Sequence, residues 1–189
     1  DCQIIHATKH KVDVELLSKQ SPKTESALEI TLLQSISRSQ RMDFVMQKAT
    51  ELGVKKIIPT ISQNTVVRFK ESNLKNKMAH WKKIIISAAE QSGRVKLPAI
   101  IKPIPFSEEL LNEYKSPESY FLDTTGDSGF SSKKISKTTL VVGPEGGFTV
   151  DEKQIAIDTG YKIVKTGPRL LRTETAPIMA ISILQYLYG

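Results

Sequence analysis

The sequence is poor in the residues that build metal and disulfide frameworks. Its 189 residues contain one cysteine, Cys2, and three scattered histidines, His6, His10 and His80. A single thiol excludes an internal disulfide and a cysteine-based cluster, and the histidines lack metal-ligand spacing, so no metal is expected. A reducing cytoplasm is the simplest compartment for such a chain. No apolar run approaches the ~20 residues of a membrane span, and nothing reads as a signal peptide. The familiar nucleotide loops are missing too. Gly143-Pro144-Glu145-Gly146-Gly147 lacks the glycine spacing of dinucleotide folds, and no Gly-Lys-Ser/Thr follows it. No serine sits in a nucleophile elbow, and no aspartate cluster suits Mg²⁺.

What is present is a basic excess. Lys and Arg total 27 against 20 Asp and Glu, a net charge of +7. The excess is spread along the chain in pairs such as Lys55-Lys56 and Lys82-Lys83. It suits a polyanionic partner, and it suits a plain solvated surface equally well. The length allows one domain plus a fragment, or two small domains. The chain opens on Asp1 rather than Met, inside a strand-like run, which reads as a truncation.

Residues 1–22 read as a β fragment and linker. Two β-like runs, Gln3–Ala7 and Val12–Leu17, flank the polar turn Thr8–Lys11, and the Ser/Lys/Pro-rich stretch Ser18–Ser26 follows. Residues 23–189 read as an α/β domain. Strands are expected at Leu28–Ser35, Val54–Ile61, Ala99–Lys102, Tyr120–Asp123, Thr138–Val142 and Tyr161–Lys165. Helices are expected at Met42–Leu52, stopped by Gly53, and at Leu74–Gln91, Phe106–Tyr114, Thr149–Asp158 and Thr173–Tyr188. Thr149 and Glu152 have capping-box spacing, and Thr173 is an N-cap candidate. This alternation predicts a mostly parallel sheet with helices on both faces. The last helix is apolar nearly all round, which suits burial or a subunit interface.

Two loops stand out. Gly143–Thr149 and Thr166–Pro177 each follow a β-branched run and precede a helix, where α/β proteins bind ligands. A third, Asp123–Gly129, shares their rim. Glycines in the first permit close backbone approach. Arg169, Arg172 and Glu174 bring charge to the second. A tight turn and salt bridges from the arginines to Glu145 or Glu174 would be the bland account.

Four motifs in one order carry a resemblance. Gly143–Phe148, Gly167–Pro177, Met42–Gly53 and Glu90–Arg94 together are similar to the SPOUT superfamily of RNA methyltransferases, in particular the bacterial 16S ribosomal RNA uridine-N3 methyltransferases. The similarity covers roughly residues 28–189. The Arg-Thr-Glu-Thr-Ala-Pro run before the last helix argues against the ribose-2′-O branch.

The resemblance implies a C-terminal trefoil knot, which ordinary topology rules would not suggest. It implies S-adenosylmethionine as cofactor, a homodimer, 16S ribosomal RNA of the small subunit as partner, no membrane, and an N-terminal PUA-like β-barrel of which residues 1–18 would be a remnant. Cofactor contacts are then expected from Leu122, Asp123, Thr124, Gly143, Pro144, Glu145, Gly146, Gly147, Thr166, Gly167, Leu170, Leu171 and Thr173. Uridine N3 must lose a proton, and the resulting charge suits a planar guanidinium. Arg172 is the first candidate and Arg169 the second. Glu174 or Glu145 would accept the proton or orient the arginine. Arg38, Arg41 and Arg94 are candidate RNA-phosphate contacts. Another base or ribose methyltransferase of the superfamily, a non-catalytic RNA-binding assembly factor and a generic nucleotide-binding domain are the competing readings.

Overall fold

The computed structural model describes residues 1–20, 22–66 and 71–189; Ser21, within the expected linker, lies outside them. The chain runs β1 (Cys2–Ala7), β2 (Val12–Leu16), β3 (Glu29–Ser35), α1 (Ser39–Glu51), β4 (Lys56–Ile61), α2 (Glu71–Ser92), β5 (Ala99–Ile100), β6 (Ile104–Pro105), α3 (Glu108–Glu113), β7 (Glu118–Ser128), β8 (Lys137–Val142), α4 (Val150–Asp158), β9 (Lys162–Lys165) and α5 (Thr175–Tyr188).

β1 and β2 form the expected antiparallel hairpin. A register shift between Ile4 and His6 keeps Cys2, Ile4 and Ala7 opposite Leu16, Val14 and Val12. One face is therefore apolar, yet Ile4, Val14 and Leu16 are each more than half exposed.

All other strands join one sheet in the order β5-β4-β3-β8-β7-β9, with β6 also beside β4. Every pairing in it is parallel. Period-2 alternation divides its side chains between two layers. On one face Leu28, Ile30 and Leu32 of the β3 segment meet Met42, Val45, Met46 and Ala49 of α1, Trp81 and Ile85 of α2, and Ala180, Ile181 and Leu184 of α5. On the other, Leu33, Ile58, Phe121 and Val141 meet Leu110 and Leu111 of α3 and Ala156 of α4. Each fully buried aliphatic side chain contributes about 1.5–3 kcal/mol.

Several boundaries differ from the expectation. α1 begins at Ser39, and α2 spans Glu71–Ser92. β6 arises where no strand was expected, by pairing Ile104 and Pro105 with the end of β4. The capping box of α4 is formed by Thr149 and Glu152 as expected. Thr173 does not cap the last helix, which starts at Thr175 after Glu174. Asp123–Gly129 is not a plain loop, because β7 continues to Ser128. Both Leu122 and Asp127 oppose Val164 of β9, so residues 123–126 arch out of the sheet as a bulge. The arch closes on Gly126, where an added Cβ would stand 2.7–2.8 Å from backbone atoms of Val164. Only glycine fits there.

Among the described residues no helix is long and apolar enough to cross a membrane.

Candidate functional site

β3 and β8 are neighbours in the middle of the sheet. β3 leads to α1 on one face, and β8 leads to α4 on the other. Such a divergence opens a crevice at the carboxyl ends of the strands. Beside it, over the carboxyl ends of β7, β8 and β9, lies a cavity of about 370 Å³, within the ~300–1,000 Å³ typical of small-molecule sites.

Three segments line it. Leu122, Asp123 and Thr124 come from the β7 arch; Gly143, Pro144, Glu145 and Gly147 follow β8; Thr166, Gly167, Arg169, Leu170, Leu171, Arg172 and Thr173 follow β9. Val142, Val164 and Lys165 at the strand ends, and Phe148, Ala176 and Arg41, complete the wall. Of the residues singled out from the sequence, Gly146, Glu174, Arg38 and Arg94 do not line it.

The turn after β8 is braced from outside the cavity. Gly147 N–H donates to Pro144 O at 3.0 Å, and Gly147 takes φ 68°, a left-handed value that favours glycine. Asn64 Nδ2 donates to the carbonyls of Gly146 (3.3 Å) and Gly147 (3.1 Å). Gly146 thus packs on Asn64, whose Cβ would be 3.1 Å from an added Cβ, rather than lining the cavity. Beneath, the Glu152 carboxylate closes the α4 capping box with one oxygen and accepts Gln63 N–H with the other at 2.8 Å. The Phe148 ring packs 4.3 Å from that of Phe121, centroid to centroid, and tucks under Gly143.

Thr173 has a different task from the one its spacing suggested. Its hydroxyl donates to Gly143 O at 2.7 Å and so ties the two loops together. Behind it the fully buried Gln34 approaches the same hydroxyl at 3.5 Å. Sequence reading missed Gln34, because a glutamine in an apolar strand carries no site signal until its neighbours are known.

The charges at the rim are sorted. Asp123 accepts Thr125 N–H at 2.8 Å and pairs with Lys153 at 3.2 Å. Burial raises its pKa, but the Thr125 and Lys153 contacts together outweigh it and hold the carboxyl below its usual value. Arg41 Nη1 pairs with Glu145 at 3.1 Å, and its Nε lies 3.7 Å from Glu174. Arg38 reaches Glu145 only through its main-chain N–H, at 3.1 Å, while its residue surface is exposed. Among the described residues, Arg169 and Arg172 form no ion pair; both are exposed at the cavity. The salt bridges offered above as their bland account are made by Arg41 instead.

Two sequence candidates require correction. Glu174 does not face the cavity; its side chain is 16% exposed and turned to Arg41. Arg94 is no surface phosphate contact, because its side chain is 3% exposed. It donates to Thr50 O (2.8 Å) and Val54 O (2.9 Å) and pairs with Glu25 at 2.8 Å. A run of Gly-Arg after a helix gives no hint that the guanidinium folds inward.

A family model described as an RNA methyltransferase domain matches residues 24–185. The ribosomal RNA small subunit methyltransferase E of Buchnera aphidicola subsp. Schizaphis graminum is 37% identical over 194 aligned positions, covering 99% of this chain and 77% of that one. A methyltransferase of Legionella pneumophila solved with bound S-adenosylmethionine superposes with a TM-score of 0.94 at 35% identity, covering 100% of this chain and 78% of the other. The ribosomal RNA small subunit methyltransferase E of Neisseria gonorrhoeae, also solved with S-adenosylmethionine, gives 0.87 at 36%, with the same shares. Family match, sequence identity and superposition agree with the motifs around the cavity: the chain belongs to the RNA methyltransferase domain family.

Proposed function

We propose that this chain transfers a methyl group from S-adenosylmethionine to N3 of a uridine in small-subunit (16S) ribosomal RNA. The observation that carries the reading is one cavity that joins a backbone-rich cradle to two arginines without carboxylate partners among the described residues. The names of the relatives support the RNA class, and the cofactor bound in two structural neighbours supports the donor.

The wall fits such a cofactor chemically. Leu122, Val142, Leu170, Leu171 and Ala176 offer apolar surface, with Leu170 85% exposed at the mouth. Backbone groups of Gly143, Glu145, Gly147, Leu170 and Leu171 would hold the adenosine, with Leu122, Asp123, Thr124, Thr166 and Gly167 closing around it. When bound, the sulfonium supplies an electrophilic methyl for in-line displacement. The protein's contribution is then alignment of acceptor and donor. Arg172, with Arg169 beside it, would stabilise the charge that spreads over the uracil carbonyl oxygens once N3 is deprotonated. Glu145 does not stand free as a proton acceptor, since it accepts from Arg41 and from Arg38 N–H; Glu174 Oε2 has no hydrogen bond but is buried beside Arg41 at 3.7 Å.

Wider features belong to the same reading. The C-terminal segment would thread a trefoil knot, as the resemblance of the motifs around the cavity implies. Two chains assemble as a homodimer, for which the outer side of α5 offers Tyr186, 89% exposed, and Leu187, 49%. The hairpin in residues 1–22 is part of a PUA-like β module whose exposed apolar face needs a cover, and residues 23–189 are the methyltransferase domain. Arg38 remains a candidate RNA contact, and the cytoplasm is the compartment.

Nucleoside mass spectrometry of small-subunit RNA treated with protein and S-adenosylmethionine tests the assignment. Base-methylated uridine is expected. A ribose-methylated nucleoside would refute the branch, and absence of cofactor binding would favour a non-catalytic factor.

A further inference from the structure

Each carboxylate lining the cavity has its own cation, and neither cation is Arg169 or Arg172. Asp123 is held by Lys153 at 3.2 Å, and Glu145 by Arg41 at 3.1 Å. Glu174, two residues from Arg172, also faces Arg41, at 3.7 Å. Arg41 achieves this from a different element. It stands in the first turn of α1, on the β3 side of the crevice, and reaches across to the loops after β8 and β9. One edge of the planar guanidinium hydrogen-bonds Glu145, while the other stands 3.7 Å from the buried Glu174 Oε2, a charge contact beyond hydrogen-bond distance. The amino end of α1 adds to it, because Arg38 N–H donates to the same Glu145 oxygen at 3.1 Å. Both glutamate side chains are largely buried, 20% and 16% exposed, so without Arg41 each would need another cation.

We infer that Arg41 is a positioning residue that holds Glu145 by a hydrogen-bonded ion pair and neutralises the nearby Glu174, and so keeps Arg169 and Arg172 available for negative charge on the substrate. This rests on the methyl-transfer reading above and deepens it. It replaces the expectation that Arg41 contacts RNA phosphate.

The test compares wild type, Arg41→Ala, Arg41→Lys and Arg41→Ala/Glu145→Gln. Rates are measured at saturating S-adenosylmethionine and small-subunit RNA, with RNA affinity and thermal melting alongside. Misalignment of this kind lowers rates by ~10-fold or more, so Arg41→Ala should lose kcat to that extent with RNA affinity nearly unchanged. Arg41→Lys should fall between, and it serves as the readout if Arg41→Ala does not fold. Adding Glu145→Gln should recover about threefold or more, a non-additivity that marks direct coupling. Unchanged kcat, a raised KM for RNA alone, or no recovery in the double variant would overturn the inference. If wild type itself neither binds cofactor nor methylates, the methyl-transfer reading has failed instead. A crystal structure of Arg41→Ala then still decides the positioning role. Arg169 or Arg172 within ion-pair distance of Glu145 or Glu174 supports it, and both arginines still unpaired overturn it.

Discussion

The two ends of the sheet use arginine in opposite ways. At the amino ends of β4 and β5, Arg94 is buried and makes four hydrogen bonds. Glu25 accepts from its Nε and Nη2, from Lys55 at 2.9 Å and from Lys96 N–H at 3.2 Å, while Thr50 O and Val54 O accept from its Nη1. That clamp fastens the end of the linker, the end of α1 and the approach to β5 into one unit. At the carboxyl ends, Arg169 and Arg172 stand exposed in a cavity with no ion pair among the described residues. Guanidinium groups at one end close the molecule, and at the other they are held open. Satisfaction of charge distinguishes structure from site here, not residue type.

The largest expected break in this contrast is Arg94→Ala. Removing one partner of a buried pair costs about 3–5 kcal/mol, and here two backbone carbonyls are orphaned as well. Urea unfolding should show that loss, while cofactor affinity of the folded fraction stays near wild type. A loss below ~1 kcal/mol, within the range of a surface pair, would remove the distinction between the two ends. Arg172→Ala should do the reverse. Loss of a preorganised charge donor costs roughly 10²–10³ in rate, and an exposed side chain changes stability by only about 0.5 kcal/mol. A variant that melts early, or still methylates at full rate, would show that Arg172 belongs with Arg94.

Acid sharpens the same comparison with a smaller effect. The Arg94 hydrogen bond, with help from Lys55, outweighs burial and lowers the Glu25 pKa from 4.5 to about 2. The folded value lies below the unfolded one. The stabilisation is therefore complete above pH ~4.5 and disappears as pH falls towards 2. Allowing for partial solvent screening, it amounts to about 2 kcal/mol near neutrality. The stability gap between wild type and Glu25→Gln should close over that acid range. A gap independent of pH would mean that Glu25 acts through packing rather than charge.

Much of the site was legible because its signals are local. Gly143–Gly147 and Thr166–Thr173 follow β-branched runs, and helix caps such as Thr149 with Glu152 mark where loops end. Those cues located the rim without any knowledge of contacts. The errors fell on residues whose partners are distant in sequence. Arg94 meets Glu25, 69 positions away, and Arg41 meets Glu145, 104 positions away. Thr173 looked like a cap, but its hydroxyl serves Gly143, 30 positions earlier. The Asp123–Gly129 stretch looked like a loop because its polar residues hide a strand that resumes against β9.

The sequence alone determined the alternation of strands and helices, the two glycine- and arginine-bearing loops and the motifs of the RNA methyltransferase family. Periodicity and capping act within a few residues, so the linear order already contains them. Tertiary structure decided which arginines are paired and which stand without an ion pair among the described residues. That depends on carboxylates brought from far along the chain, and on the divergence of α1 and α4 around neighbouring strands. Charge is a property of the residue, but its availability is a property of the fold.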